Sequence, residues 1–341
     1  MNVDPWNAQK LMRTSGAFWE SCALHAGVEL DVFSAIGDTS LTGDEVAGTL
    51  GGDVRGITAL LNALAAMGLL IKHEGRFANT SVSRTLLARD SPQYIGYMIR
   101  HHHHLVPAWS ELHRAARTGK PVRERTGDEE EIESFLMGMF NQAMGFAPRL
   151  ARELDLSGRH RLLDLGGGPG TYAIHFCLAN PGLRACVFDL PAAREFALKA
   201  AKRFGVRDRI DFTPGNYHVD HLKGPYDVAW LSHILHSMDP GESQRLISKA
   251  VSLLPPGGLI LVHDFVLDGT MASPLFPALF SLNMLVNTKG GRAYSEAQIR
   301  EMLSKAGVDD VRRLPIQGPN DSAIIGGTVR VSGDDQLNPK L

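Results

Sequence analysis

Apolar residues at the start of the chain recur mostly at intervals of three and four. Between residues 10 and 36 these are Phe18, Trp19, Cys22, Ala23, Ala26, Leu30 and the pair Val32-Phe33, the period of one or two amphipathic helices whose apolar face is too large to leave in water. Thr42 opens T-G-D-E, a capping box for a short helix over 42–50. Ile57, Leu60, Leu61, Leu64 and Met67 line one stripe of a helix over 53–68, which Gly68 ends. Leu69-Leu70-Ile71, a turn at Glu74-Gly75 and Arg76-Phe77-Ala78 predict a hairpin. From Ile95 to Leu156 the pattern stays mainly helical, with a break at Gly119-Lys120-Pro121 and an acidic helix start at 128–131.

After Arg161 the texture changes. Short apolar runs near 161–165, 184–189, 209–213, 226–231, 258–266, 309–315 and 322–330 read as strands, and amphipathic segments near 171–180, 192–204, 241–253 and 295–306 as helices. That alternation predicts an α/β fold with a doubly wound, Rossmann-like, seven-stranded sheet, which binds ligands at the carboxyl ends of its strands.

Helix, helix and hairpin near the N-terminus form a winged-helix pattern, which raises DNA binding. Charge argues against it: residues 1–100 carry 8 basic and 10 acidic side chains, and the second helix holds one Arg and no Lys. Phosphate contacts supply most of the affinity of such modules. The whole chain of 341 residues has a formal charge of −2, so neither nucleic acid nor an anionic membrane is an expected partner. The partner should be a small molecule. The three cysteines are scattered, with no C-x-x-C spacing; this points away from structural zinc and toward a reducing cytoplasm. No apolar run approaches the ~18 residues of a membrane span.

The sharpest local signal is R-L-L-D-L-G-G-G-P-G-T-Y-A over 161–173. A buried strand runs into glycines before a helix opens, so a ligand can lie directly against the backbone. The glycines at 166, 168 and 170 break the G-x-G-x-x-G dinucleotide spacing, which would need a glycine where Thr171 stands. Asp164, just ahead of them, suits a sulfonium and an amino group better than a pyrophosphate. Asp189, 19 residues beyond Gly170, is placed to accept from both ribose hydroxyls. The expected ligand is S-adenosylmethionine, with S-adenosylhomocysteine as product.

With these segments the chain resembles the class I S-adenosylmethionine-dependent O-methyltransferases that carry an N-terminal winged-helix dimerisation domain. Plant caffeic-acid and acetylserotonin enzymes and many bacterial natural-product methyltransferases are of this type. Further matching segments are FDLP at 188–191, GNYHVD at 215–220, YDVAWLSHILHSMDP at 226–240, PPGGLILVHDFVLD at 255–268 and GGRAYSEAQIREMLSKAGV at 290–308. The resemblance runs from about residue 10 to 330. It implies a homodimer formed through the N-terminal domain at 1–95, a helical connector at 96–156 that contributes to an acceptor pocket, a cofactor-binding domain at 157–331 and a flexible tail at 332–341.

It also implies roles for residues. Gly166, Gly168 and Gly170 would hold the methionine part of the cofactor, and Asp189 the ribose. Asn216 stands where the family's Gly-Asp-Phe pattern has its acid, and Leu190, Tyr217 and Ser232 complete the expected cofactor contacts. His236 matches the general base and Asp264 the acid that supports it. Methyl transfer to oxygen is an in-line displacement, and a base of near-neutral pKa within reach of the acceptor's proton assists it. His233 is expected to pack. Phe140, Met144, Phe280, Asn283 and Met284 would wall the acceptor, as Met and Phe adapt to flat rings. Apart from the resemblance, one or two imidazoles of the run His101–His104, His104 among them, would line the same pocket or hydrogen-bond acceptor oxygens, or else serve an interface, and no metal site is expected there.

The chain departs from the family pattern at three positions. Ser237 follows the histidine where many relatives have an acid, Met238 stands where some have Trp, and Ala293 replaces the second acid beside the base. A single carboxylate partner should leave His236 less basic than two would. The expected activity is methylation of a hydroxyl on a small aromatic or polyketide-like acceptor. The alternatives are methylation of carbon or nitrogen, and a relative that keeps the cofactor for hydroxylation, decarboxylation or pericyclic chemistry.

Overall fold

A computed structural model describes residues 5–124 and 127–331; the expected tail at 332–341 lies outside the described residues. The chain divides into two compact units, the first built from 1–106 and 128–141 and the second from 107–127 and 142–341. The stretch 96–156 is thus shared between them.

In the first unit the leading apolar region folds as three helices, Ala8–Gly16, Phe18–Glu29 and Val32–Ile36, one more than the periodicity indicates. Asp31 at φ +58° separates the second from the third. The capping box forms as expected: the Thr42 hydroxyl accepts the Glu45 N–H at 3.2 Å and the Glu45 carboxylate accepts the Thr42 N–H at 2.7 Å. Helices Gly43–Leu50 and Val54–Ala66 follow. Strands β1 (Ser40–Thr42), β2 (Leu70–His73) and β3 (Arg76–Asn79) make an antiparallel sheet in the order β1-β3-β2. Sequence reading finds only the hairpin β2–β3, because β1 is three residues long with one apolar side chain. Phe33, Leu61, Leu64 and Phe77 fill the core of this unit.

The second unit is built on strands β4 (Arg161–Leu165), β5 (Arg184–Asp189), β6 (Ile210–Pro214), β7 (Val228–Ser232), β8 (Leu259–Leu267), β9 (Tyr294–Ser295), β10 (Val308–Gln317) and β11 (Ser322–Val329). Seven of them run in the order β10-β11-β8-β7-β4-β5-β6, and two-residue β9 pairs with β8. The five strands from β6 to β8 are mutually parallel, and β11 and β10 add antiparallel pairs. The winding reverses between β4 and β7: Leu162, Leu163 and Asp164 of β4 pair with β5 on one side and with β7 on the other. This crevice at the carboxyl ends is where the physics of the fold places a ligand. Helices Thr171–Ala179, Arg194–Arg203, Pro240–Val251 and Glu296–Lys305 fall where the sequence predicts them. No helix among the described residues is long and apolar enough to cross a membrane.

Candidate active site

Strand β4 brings the glycine loop to the crevice. Leu162, Leu163 and Leu165 are fully buried, and the strand hands over at Gly166, whose N–H donates to the Phe188 carbonyl on β5 at 2.8 Å. Gly166, Gly168 and Gly170 have φ of +72°, +52° and +72°, the left-handed region in which a side chain is strained. A Cβ on Gly166 would also stand 2.2 Å from Ile234 Cδ1. The glycine loop therefore packs directly on the segment that leads from β7 to His236.

Two carboxylates meet at this loop. Asp164 is 1% exposed; its Oδ2 accepts the Ala173 N–H from the first turn of the helix at 3.3 Å, and its Oδ1 is buried without a hydrogen-bond partner. Burial pushes its carboxyl up to about 7, the Ala173 bond works against this, and the nearby Asp189 charge adds to it. Asp189 ends β5. Its Oδ2 accepts from Gly168 N–H at 2.7 Å and its Oδ1 from Leu190 N–H at 2.6 Å. Burial raises its carboxyl too, and the two backbone bonds oppose that. Each carboxylate oxygen keeps a second lone pair for a ligand hydroxyl. An orphan oxygen and two carboxylates held above their ordinary range call for a cationic ligand with donor groups. A sulfonium nucleoside with an ammonium group and a ribose diol fits that donor set.

The remaining expected cofactor residues lie around this core. Leu190 is half exposed at the loop's edge. Asn216 follows β6 with its side-chain oxygen accepting the His218 N–H at 2.9 Å, which leaves its amide NH2 to donate. Tyr217 lies tilted against His218, ring centroids 4.6 Å apart, and packs on the core. Ser232 ends β7, its hydroxyl 3.0 Å from Nδ1 of His263.

His236 and Asp264 come together beside this loop. His236 sits in the short turn Leu235–Ser237 after β7, and Asp264 on neighbouring β8. Their Nδ1 and Oδ1 are 2.7 Å apart, and the His236 N–H reaches Oδ2 at 3.3 Å. The Phe265 N–H also donates to Oδ1, at 2.9 Å. Burial alone would raise the Asp264 carboxyl, but the His236 imidazole, with contacts to His233, outweighs it and holds the group well below the carboxylate range. A carboxylate only accepts, so Nδ1 of His236 carries the proton and Nε2 presents a lone pair.

Aromatic rings surround the imidazole. Phe280 meets His236 edge-on at 4.7 Å, Phe265 lies 4.6 Å from Phe280, and Phe276 lies 4.9 Å from Phe265. Phe276 and Phe280 share one face of the helix Leu275–Asn287. On the same helix Asn283 accepts from Trp109 Nε1 at 2.9 Å, and Met284 is buried. Met144 places its sulfur 3.3 Å from His175 Nε2. Phe140 and His104 belong to the first unit, where Phe140 is buried and His104 Nδ1 lies 3.2 Å from the Ser134 hydroxyl.

The segment around Ala293 packs on His236. The Arg292 N–H donates to the His236 carbonyl at 2.8 Å, and Ala293 is fully buried. Tyr294 fixes the following turn by donating to the Met238 carbonyl at 2.7 Å. Sequence reading singles out neither Phe265 nor Tyr294, although the position of Phe265 directly after Asp264 on a strand is a usable signal. His233 is expected to pack, and it does contact His263 and Phe265, both at 4.4 Å. It also has φ +52° and sets its Nδ1 3.6 Å from Asp264 Oδ1, which helical spacing could not reveal.

The chain is similar to known proteins over most of its length. The chain matches the O-methyltransferase domain over residues 109–309 and the O-methyltransferase dimerisation domain over 12–89. It is 35% identical over 323 residues to the tetracenomycin polyketide synthesis 8-O-methyl transferase TcmO of Streptomyces glaucescens, covering 92% of this chain and 95% of that one. It is 32% identical over 317 residues to a 3-hydroxy-5-methyl-1-naphthoate 3-O-methyltransferase of Streptomyces sahachiroi, covering 91% and 92%. Among solved structures, that of PigF with SAH superposes with a TM-score of 0.87 at 28% identity, covering 95% of this chain and all of the other. The chain belongs to the O-methyltransferase family and is an S-adenosylmethionine-dependent methyltransferase.

Proposed function

We propose that this enzyme methylates a hydroxyl on a small, flat aromatic or polyketide-like acceptor, with His236 as general base and Asp264 as its positioning partner. The observation that carries the reading is the 2.7 Å contact between His236 Nδ1 and Asp264 Oδ1 inside a wall of phenylalanines. Asp264 holds the imidazole in the tautomer whose Nε2 accepts a proton, and its negative charge stabilises the imidazolium that results. Phe265, Phe276 and Phe280 exclude water and offer faces and edges to a planar acceptor. When bound, the cofactor would supply an electrophilic methyl group carried on positively charged sulfur for the acceptor oxygen. Asp164 and Asp189 hold the cofactor by its amino and ribose ends. Ala293 offers no second carboxylate, so the proton-accepting power of His236 rests on Asp264.

By their names, one relative is a 3-O-methyltransferase of a hydroxynaphthoate and the other an 8-O-methyl transferase of polyketide synthesis, which supports the acceptor class. We further read the first unit, with its helices and three-stranded sheet, as a winged-helix dimerisation domain for a homodimer, the stretch 96–156 as a connector, and Met144 as part of the acceptor wall. Cys22, Cys177 and Cys186 are all free, which suits a cytoplasmic enzyme.

The test is a panel of phenols, hydroxynaphthoates and polycyclic hydroxyketones incubated with cofactor labelled on the methyl group. Label on oxygen of a planar acceptor, matched by S-adenosylhomocysteine, is expected. Label on carbon or nitrogen alone would overturn the acceptor atom.

A further inference from the structure

The base and its carboxylate have a third neighbour that the reaction does not use. His233 is held in a left-handed backbone conformation, φ +52°, three residues before His236. Its Nδ1 is buried, has no hydrogen-bond partner and points toward Asp264 Oδ1 at 3.6 Å. One ligand atom from each of His233, His236 and Asp264 lies within 4.8 Å of the others. A tetrahedral zinc ion with bonds of ~2.0–2.2 Å sets its ligand atoms ~3.3 Å apart. The observed 2.7 and 3.6 Å separations from Asp264 bracket that spacing, and the two imidazole atoms, within 4.8 Å of each other, would draw closer on a bound ion. Two imidazoles and one carboxylate form a donor set for a borderline-soft divalent ion, with a fourth position left open. The Phe265 N–H on Asp264 Oδ1 steadies the carboxylate from behind. Both imidazoles remain partly accessible, 19% for His233 and 12% for His236, which leaves a way in.

We propose that His233, His236 and Asp264 form an inhibitory zinc site that competes with catalysis. The inhibition rests on His236 being the base. An ion bound at Nδ1 of His236 takes the lone pair of that nitrogen, and the proton once shared with Asp264 moves to Nε2. An imidazole with its proton on Nε2 cannot accept the acceptor's proton. Zinc therefore switches off methyl transfer without touching the cofactor carboxylates, and a chelator restores it.

The experiment uses the full chain, dialysed against chelator, with Co²⁺ as a visible-absorbing probe for the zinc site and turnover read separately with added Zn²⁺. The run His101–His104 offers competing imidazoles, so a His102→Ala/His103→Ala variant accompanies His233→Asn, in which asparagine tolerates the left-handed backbone. Expected are ligand-field bands that saturate at one Co²⁺ per chain, are displaced by Zn²⁺, persist in the His102/His103 variant and vanish in His233→Asn. Saturating Zn²⁺ should slow the wild-type enzyme ~10²-fold or more, the worth of a general base, and leave His233→Asn near its own metal-free rate. Bands that survive in His233→Asn but vanish in the His102/His103 variant mean an adventitious ion only, and overturn the site. No bands in any protein overturn it too. Saturable, His233-dependent binding with turnover undiminished overturns the inhibition and the base assignment together, while the cofactor-binding reading is untouched.

Discussion

Asp189, at the end of β5, accepts the backbone N–H of Gly168 at 2.7 Å, so the glycine loop and the carboxyl end of β5 are tied together before any ligand arrives. Replacing Asp189 by Ala removes both that tie and the acceptor for the sugar. Hydrogen bonds to a charged group are worth ~1.5–3 kcal/mol each. Cofactor affinity should therefore fall ~10–100-fold by calorimetry, and an unchanged Kd would remove Asp189 from the ribose site.

Asp164 gives the ligand-free protein a pH dependence of stability. Folding lifts its carboxyl from 3.8 to about 7, chiefly by burial. Between those values the unfolded chain has lost a proton that the folded chain retains, so stability falls as pH rises through the window. Asp164→Asn removes this titration. Its melting temperature should decline less from pH 5 to pH 8 than that of the wild type, while its cofactor affinity at pH 8 is weaker. Parallel melting curves for the two proteins would contradict the assignment.

The first unit leaves Leu11, Met12, Phe18 and Trp19 exposed on helices Ala8–Gly16 and Phe18–Glu29, with Trp19 at 71%. If this apolar face pairs two copies, Trp19→Glu buries a charge in the interface, a change costing several kcal/mol. Sedimentation should show a dimer for the wild type and a monomer for the variant. A wild-type monomer would contradict the pairing.

Much of the catalytic unit was legible in the sequence because three of its strands are short apolar runs closed by a residue with candidate chemistry. L-L-D-L ends in the glycine loop, V-F-D in Asp189 and V-A-W-L-S in the turn to His236. Such runs are buried on both faces and stand out against their polar flanks. β1 and β9 escaped because two or three residues carry no period. The left-handed turn at His233 escaped because nothing in H-I-L-H distinguishes a packed histidine from one aimed at a carboxylate. The aromatic wall was only partly visible: Phe276 and Phe280 show their helical spacing, whereas Phe265 joins them across a strand–helix contact that no local pattern encodes.

The most direct measurement is single-turnover methyl transfer by His236→Ala with cofactor saturating and an acceptor identified from the phenol and hydroxynaphthoate panel. The account predicts a rate ~10²–10⁴-fold below wild type, a similar direction of change in Asp264→Asn, and cofactor affinity unchanged in both. Transfer to oxygen at the wild-type rate in His236→Ala would contradict it.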